Sequence, residues 1–238
     1  MDDPQQLTAF QAELTRTFFS LAASEGFLIA GGAALAAQAL TTRPTRDLDF
    51  FTAAPGTVLP ALESLEAVSA ARGWTVERRQ VGETFCRITV HGPDDVDVDL
   101  ALDASPGMEP SMTVIGPTYA PEELAGRKLL ALFGRGYPRD FADVFVLAQR
   151  FDTKVMIARA QEADPGFDQT VLAEMIGGLA LYADEDLPGD DPTAMRAFYT
   201  RWRTDLTGSG TPPANAPHSS APTQYLPPKS AQPPHMSI

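Results

Sequence analysis

Phe27-Leu28-Ile29-Ala30-Gly31-Gly32-Ala33 and, after thirteen intervening residues, Asp47-Leu48-Asp49-Phe50-Phe51 decide how this chain reads. The first stretch has the form of a short buried strand, a glycine turn and the start of an Ala-rich helix that runs to Leu40. The second is a strand in which Asp47 and Asp49 project from one face while Leu48 and Phe50 project from the other. Two carboxylates held that close repel unless a cation lies between them, which suits a hard divalent ion such as Mg²⁺ or Mn²⁺. A solvated strand end built on Leu48 and Phe50 is the alternative. The glycine pair weighs against it, because exposed N–H groups at a helix start can hold a phosphate and glycine lets the backbone approach closely. Gly177-Gly178 serves as a control: it lies in a helical pattern, no Asp-x-Asp follows it, and packing alone explains it.

Working outward, Asp95-Val96-Asp97-Val98-Asp99-Leu100 is a second acidic strand with its three carboxylates on one face. If this strand neighbours Asp47 and Asp49, its inner end supplies a third carboxylate, and Asp99, deepest in the apolar run, is the choice. Such a set suits two-metal phosphoryl or nucleotidyl transfer. An edge strand that uses charge to discourage aggregation is the alternative for Asp95 and Asp97.

Upstream, Asp3-Pro4 followed by Leu7, Phe10, Leu14, Phe18 and Leu21 predicts an amphipathic helix capped by Asp3. Downstream come a helix over about 58–71 and strands over 74–80, 85–91 and 96–102, so residues 1–120 read as a mixed sheet with flanking helices. Helices follow over 121–134, 138–151, 155–163, 169–182 and 192–206, forming a helical lobe over 121–207. Residues 208–238 are rich in Pro, Ala and Ser and predict a disordered tail. The fold class is α+β.

Composition narrows the function. Among 238 residues, 18 Lys and Arg face 31 Asp and Glu, and the net charge of −13 opposes general attraction to phosphate backbones or anionic membranes. Nucleic-acid contact then needs a local basic patch, for which Arg127, Lys128, Arg135, Arg139 and Arg150 are candidates, extended by Arg43 and Arg46. The single Cys86 excludes an internal disulfide framework, and no apolar run spans a bilayer, so a cytoplasmic protein is expected. His91 reads as a surface residue, His218 and His235 fall in the tail, and no catalytic triad can be assembled.

The spacing of Gly31-Gly32-Ala33 and Asp47-Leu48-Asp49 resembles the signature of polymerase-β-like nucleotidyltransferases, and Arg43-Pro44-Thr45-Arg46-Asp47-Leu48-Asp49-Phe50-Phe51 resembles their AbiEii/AbiGii toxin branch. A second block, Leu124 to Leu132, then Arg135, then Arg139 to Leu147, is similar to that branch's helical motif, in which a Lys and an Asp on successive helices face the active site. The resemblance implies Lys128 and Asp143 for those roles. Without it, the block reads as a solvated helix hairpin with an Arg139–Asp143 pair.

The resemblance further implies transfer of a nucleoside monophosphate from a nucleoside triphosphate to an acceptor hydroxyl. Asp47, Asp49 and Asp99 would bind metal, and Gly31, Gly32 and Ala33 would hold the triphosphate. Lys128 would neutralise phosphate, Arg46 would either contact the triphosphate or screen the Asp pair, and Asp99 or Asp143 would orient or deprotonate the acceptor. Ala33 stands where the signature often has a Ser whose hydroxyl bonds phosphate. Toxins of this branch occur with a cognate antitoxin, and some modify the acceptor end of tRNA. A catalytically silent binding protein of the same fold and a transferase acting on a small hydroxyl compound are the other readings.

Overall fold

The computed structural model describes residues 7–208. The expected Asp3 cap and all of the expected tail beyond Gly208 lie outside them. Helix α1 (Ala9–Phe19) begins later than the Asp3-Pro4 pair suggested. Thr8 caps it, its hydroxyl accepting the Gln11 N–H at 3.1 Å while the Gln11 side chain accepts the Thr8 N–H at 2.8 Å. The apolar stripe was legible: Phe10, Leu14 and Phe18 are buried, and the Phe18 ring stacks on Phe50 with centroids 4.4 Å apart.

Seven strands follow: β1 (Phe27–Ala30), β2 (Asp47–Thr52), β3 (Thr75–Val81), β4 (Phe85–His91), β5 (Asp95–Leu102), β6 (Ser111–Met112) and β7 (Pro117–Thr118). They form one mixed sheet in the order β3-β4-β5-β2-β1-β7-β6. β1 runs antiparallel to β2, whereas β2 and β5 are parallel, with Asp47 level with Asp97 and Asp49 level with Asp99. β5 is therefore an interior strand, which removes the edge-strand explanation for its acidic row. The charged edge is β3, almost wholly exposed and interrupted by a register shift between Arg78 and Gln80. β6 and β7 have two residues each, too few to show alternation, and the sequence reading did not contain them.

Helices α2 (Gly31–Ala37) and α3 (Val58–Ala71) belong to the sheet-bearing part. α4 (Pro121–Gly134) and α5 (Pro138–Leu147) each start on proline, whose fixed φ and missing N–H fit the first turn. α5 stops at Leu147, four residues short of the expected end, because Asp152 caps α6 (Thr153–Ala163) by accepting the Lys154 N–H at 2.8 Å. α7 (Gln169–Gly177) stops inside the Gly177-Gly178 pair and tightens into a 3-10 turn over Gly178–Leu181. Glycine, a weak helix former, ends the α-helix there rather than being carried through it. α8 (Pro192–Gly208) closes the described chain. One apolar core runs without a break from Phe10 and Phe50 under the sheet to Leu129, Phe141 and Trp202 among the helices.

Candidate active site

β2 alternates between half-buried and buried positions: Leu48, Phe50 and Thr52 enter the core while Asp47, Asp49 and Phe51 take the opposite face. Parallel, in-register pairing with β5 puts Asp97 and Asp99 on the same face as Asp47 and Asp49. Packing of the greasy side thus aligns the carboxylates on the other.

Gly31 reaches φ +61°, a conformation that costs little only without a Cβ, and an added Cβ would land inside the Asp49 carboxylate. A Cβ on Gly32 would lie 2.5 Å from Thr45 Oγ1 and 3.7 Å from Arg43 Nη2. The glycine pair thus brings the start of α2, with the N–H groups that a first helical turn leaves unpaired, against Asp49 and the 41–46 loop. Ala33 is fully buried, so its methyl group packs into the core.

The four carboxylates have different partners. Asp47 Oδ1 accepts from Thr45 Oγ1 at 3.0 Å, and its Oδ2 lies 3.7 Å from Arg139 Nη1. Asp97 accepts from Thr89 Oγ1 at 2.7 Å. Asp99 is gripped by the fork of Arg87, with Nε at 2.7 Å from Oδ1. Burial first, then repulsion from Asp47 and Asp99, pushes Asp49 up to about 7, against the pull of Lys128 and Arg135. As they stand, no three acidic, histidine or cysteine side chains among the described residues converge on one ion position.

Across from this face lies the α4–α5 hairpin. Lys128 Nζ donates to Asp143 Oδ2 at 2.9 Å, and Arg43, from the 41–46 loop, donates through Nε and Nη2 to both Asp143 oxygens at 3.1 and 3.0 Å. Asp143 is buried with both oxygens engaged. Burial alone would raise it, but Lys128 and Arg43 outweigh burial and hold it below the usual carboxylate range. Asp143 thereby positions two cations, Lys128 and Arg43. The alternative Arg139–Asp143 pair does not form, since Arg139 turns to Asp47.

Sequence reasoning treated Arg43 only as part of a basic surface and did not single out Arg87. The strand alternation that singled out Asp99 would have flagged Arg87 as its cross-strand neighbour, once β4 and β5 were paired. The basic surface also shrinks. Arg127 pairs with Asp103 and Glu123, Arg135 with Asp140, and Arg150 donates to the Ala39 carbonyl at 2.8 Å. Arg46 is exposed, and Arg139 is half-exposed where it reaches Asp47.

The family model described as nucleotidyl transferase AbiEii toxin, type IV toxin–antitoxin system, matches residues 14–177. The chain belongs to this family. It is therefore a nucleotidyltransferase of the AbiEii toxin group, and both sequence blocks that carried the resemblance lie within the matched span. Its fold is similar to that of MenT4, the nucleotidyltransferase toxin Rv2826c from Mycobacterium tuberculosis H37Rv. The TM-score is 0.60 at 17% identity, over 83% of this chain and 82% of that one. It is also similar to JHP933 from Helicobacter pylori, with a TM-score of 0.51 at 17% identity over 85% of this chain and 96% of that one. No curated protein matches in sequence. No described helix is long and apolar enough to cross a membrane.

Proposed function

We propose that this AbiEii-family chain transfers a nucleoside monophosphate from a nucleoside triphosphate to an acceptor hydroxyl in the cytoplasm, within a cleft walled by the sheet-bearing part (1–120) and the helical part (121–207). The observation that carries the reading is Asp49. Its carboxylate rests on Gly31, lies level with Asp99 and two residues from Asp47, and is raised to about 7 in a half-buried position. That all-oxygen donor set, whose mutual repulsion Lys128 and Arg135 only partly offset at Asp49, fits a hard divalent cation. Asp47, Asp49 and Asp99 would hold Mg²⁺ or Mn²⁺, and the ion would offset charge on the carboxylates and on the triphosphate.

The chain's own groups supply the rest. N–H groups at Gly31, Gly32 and Ala33 receive triphosphate oxygens, Arg46 approaches from the exposed rim, and Lys128, fixed by Asp143, faces the negative charge. The acceptor oxygen attacks the α-phosphorus, the bond to the bridging oxygen of the β-phosphate breaks, and pyrophosphate leaves. The hydroxyl proton passes to a carboxylate of the site, Asp99 or Asp143, the two acids that the family resemblance offers for this role. Most of the rate enhancement comes from positioning and charge stabilisation.

The acceptor that the family resemblance favours is tRNA, with a cognate antitoxin controlling the activity. A small hydroxyl compound is the second reading, favoured by the net charge of −13 and by the internal pairing of Arg43, Arg127 and Arg135. Incubation with each labelled nucleoside triphosphate, Mg²⁺ and total RNA or cell extract distinguishes the two. A labelled tRNA band supports the first and a labelled low-molecular-weight product the second. Absence of any labelled acceptor with every nucleotide favours a silent binding protein.

A further inference from the structure

Lys128 and Arg135 are seven residues apart at the C-terminal half and cap of α4, two helical turns, and so share a face. Opposite them, Asp143 and Asp140 are three apart on α5 and share a face as well. The hairpin is thus tied by two rungs, Lys128 to Asp143 and Arg135 to Asp140. In the second, Arg135 Nε lies 2.8 Å from Oδ2 and Nη2 lies 2.9 Å from Oδ1. Asp140 is wholly buried and accepts the Tyr137 N–H at 3.2 Å as well. The Tyr137 ring sits 5.4 Å from the Arg135 guanidinium carbon, which further restricts that group.

The rung commits only one edge of the guanidinium. Nε and one Nη2 hydrogen go to Asp140, which leaves a second fork, formed by Nη1 and the other Nη2 hydrogen, without a hydrogen-bond partner among the described residues. About a third of the Arg135 side chain remains open. Two parallel donors of this kind, already fixed in orientation, match the geometry of phosphate oxygens. Arg139, next to Asp140 on α5, reaches Asp47 Oδ2 at 3.7 Å, so this end of the hairpin borders the carboxylate face.

We propose that Arg135 is a second phosphate-binding cation of this site, its free fork holding the part of the triphosphate that departs as pyrophosphate, with Asp140 as its positioning residue. The proposal rests on the nucleotidyltransferase reading and deepens it. Lys128 and Arg135 then act as a pair, each anchored from behind by a buried carboxylate so that its outward face serves the nucleotide. Arg135 would thereby confer a preference for a triphosphate over a monophosphate, because only the triphosphate has the phosphates that reach the fork.

Calorimetric titration of the full chain with each common nucleoside triphosphate and its monophosphate, in Mg²⁺, tests this. Arg135→Lys keeps the charge but loses the fork, and the double variant Arg135→Gln/Asp140→Asn removes both charges of the rung without leaving one buried alone. Loss of a charged, forked contact should cost about tenfold to a hundredfold in triphosphate affinity and leave monophosphate affinity unchanged. Melting temperatures measured alongside identify misfolded variants. Equal weakening of both nucleotides, or a retained triphosphate preference in folded variants, overturns the proposal while the enzyme reading stands. A wild-type chain that binds no triphosphate with Mg²⁺ or Mn²⁺ overturns both.

Discussion

Arg43 and Asp143, a hundred positions apart, are joined by two hydrogen bonds, and Lys128 shares the same carboxylate. One buried acid thereby fixes the loop that precedes the Asp47-Leu48-Asp49 strand and the cation of α4. Removing the acid leaves two cations crowded without their anion. Asp143→Ala is expected to destabilise the protein by about 3–5 kcal/mol, the usual cost of breaking a buried pair, as measured by urea unfolding. A loss within the range of an exposed pair would place Asp143 at the surface.

Asp143 also sets a pH dependence. Its carboxyl lies below the usual range in the folded chain, so its contribution to stability is present above the unfolded value of 3.8 and is lost as pH falls through the lowered folded value. The stability gap between wild type and Asp143→Asn should be full at neutral pH and should shrink below about pH 4. Thermal melts across pH 3–7 read this directly, and a gap that widens in acid contradicts it.

Asp49 has the opposite sign. With its folded value raised from 3.8 to about 7, the folded chain holds a proton that the unfolded chain has lost across that window. Stability therefore falls as pH rises from 4 to 7 and levels off above. In chelator, Asp49→Asn should be more stable than wild type by about 1–2 kcal/mol at pH 8, with the difference gone near pH 4. A destabilised Asn variant at pH 8 would mean that the carboxylate is favourably paired.

Gly31 and Gly56 both have positive φ, +61° and +80°, but only Gly31 has a neighbour where a Cβ would go. Alanine at either site should cost roughly 1–2 kcal/mol in backbone strain. Gly31→Ala must additionally displace Asp49, so it should abolish metal-dependent nucleotide binding, whereas Gly56→Ala should leave binding intact. Calorimetry on the two variants separates strain from site geometry.

The parts of this protein that were legible in sequence are those that local periodicity encodes. Alternation in Asp47-Leu48-Asp49-Phe50 and in Asp95 to Leu100 placed the carboxylates, and proline starts placed α4 and α5. Long-range pairing was not legible. Neither the interior place of β5 nor the Arg43–Asp143 bond has a local signature, because both arise when distant segments pack. For the same reason most of the cations expected to form a basic surface turned out to be engaged within the fold, Arg46 excepted: charge counts record sign, while partners depend on topology. The boundaries that shifted, at Thr8, Leu147 and Gly177, did so where a capping side chain or a glycine competed with the apolar pattern.

The central claim is that Asp47 and Asp49 form the metal-dependent nucleotide centre, and calorimetric titration of wild type, Asp47→Ala and Asp49→Ala with nucleoside triphosphate in the presence and absence of Mg²⁺ tests it most directly. The account predicts Mg²⁺-dependent binding in wild type that falls by about a hundredfold or more in each variant, as expected when a charged ligand of the ion is removed. Affinity that is unchanged by both substitutions, or equal with and without the metal, would contradict it.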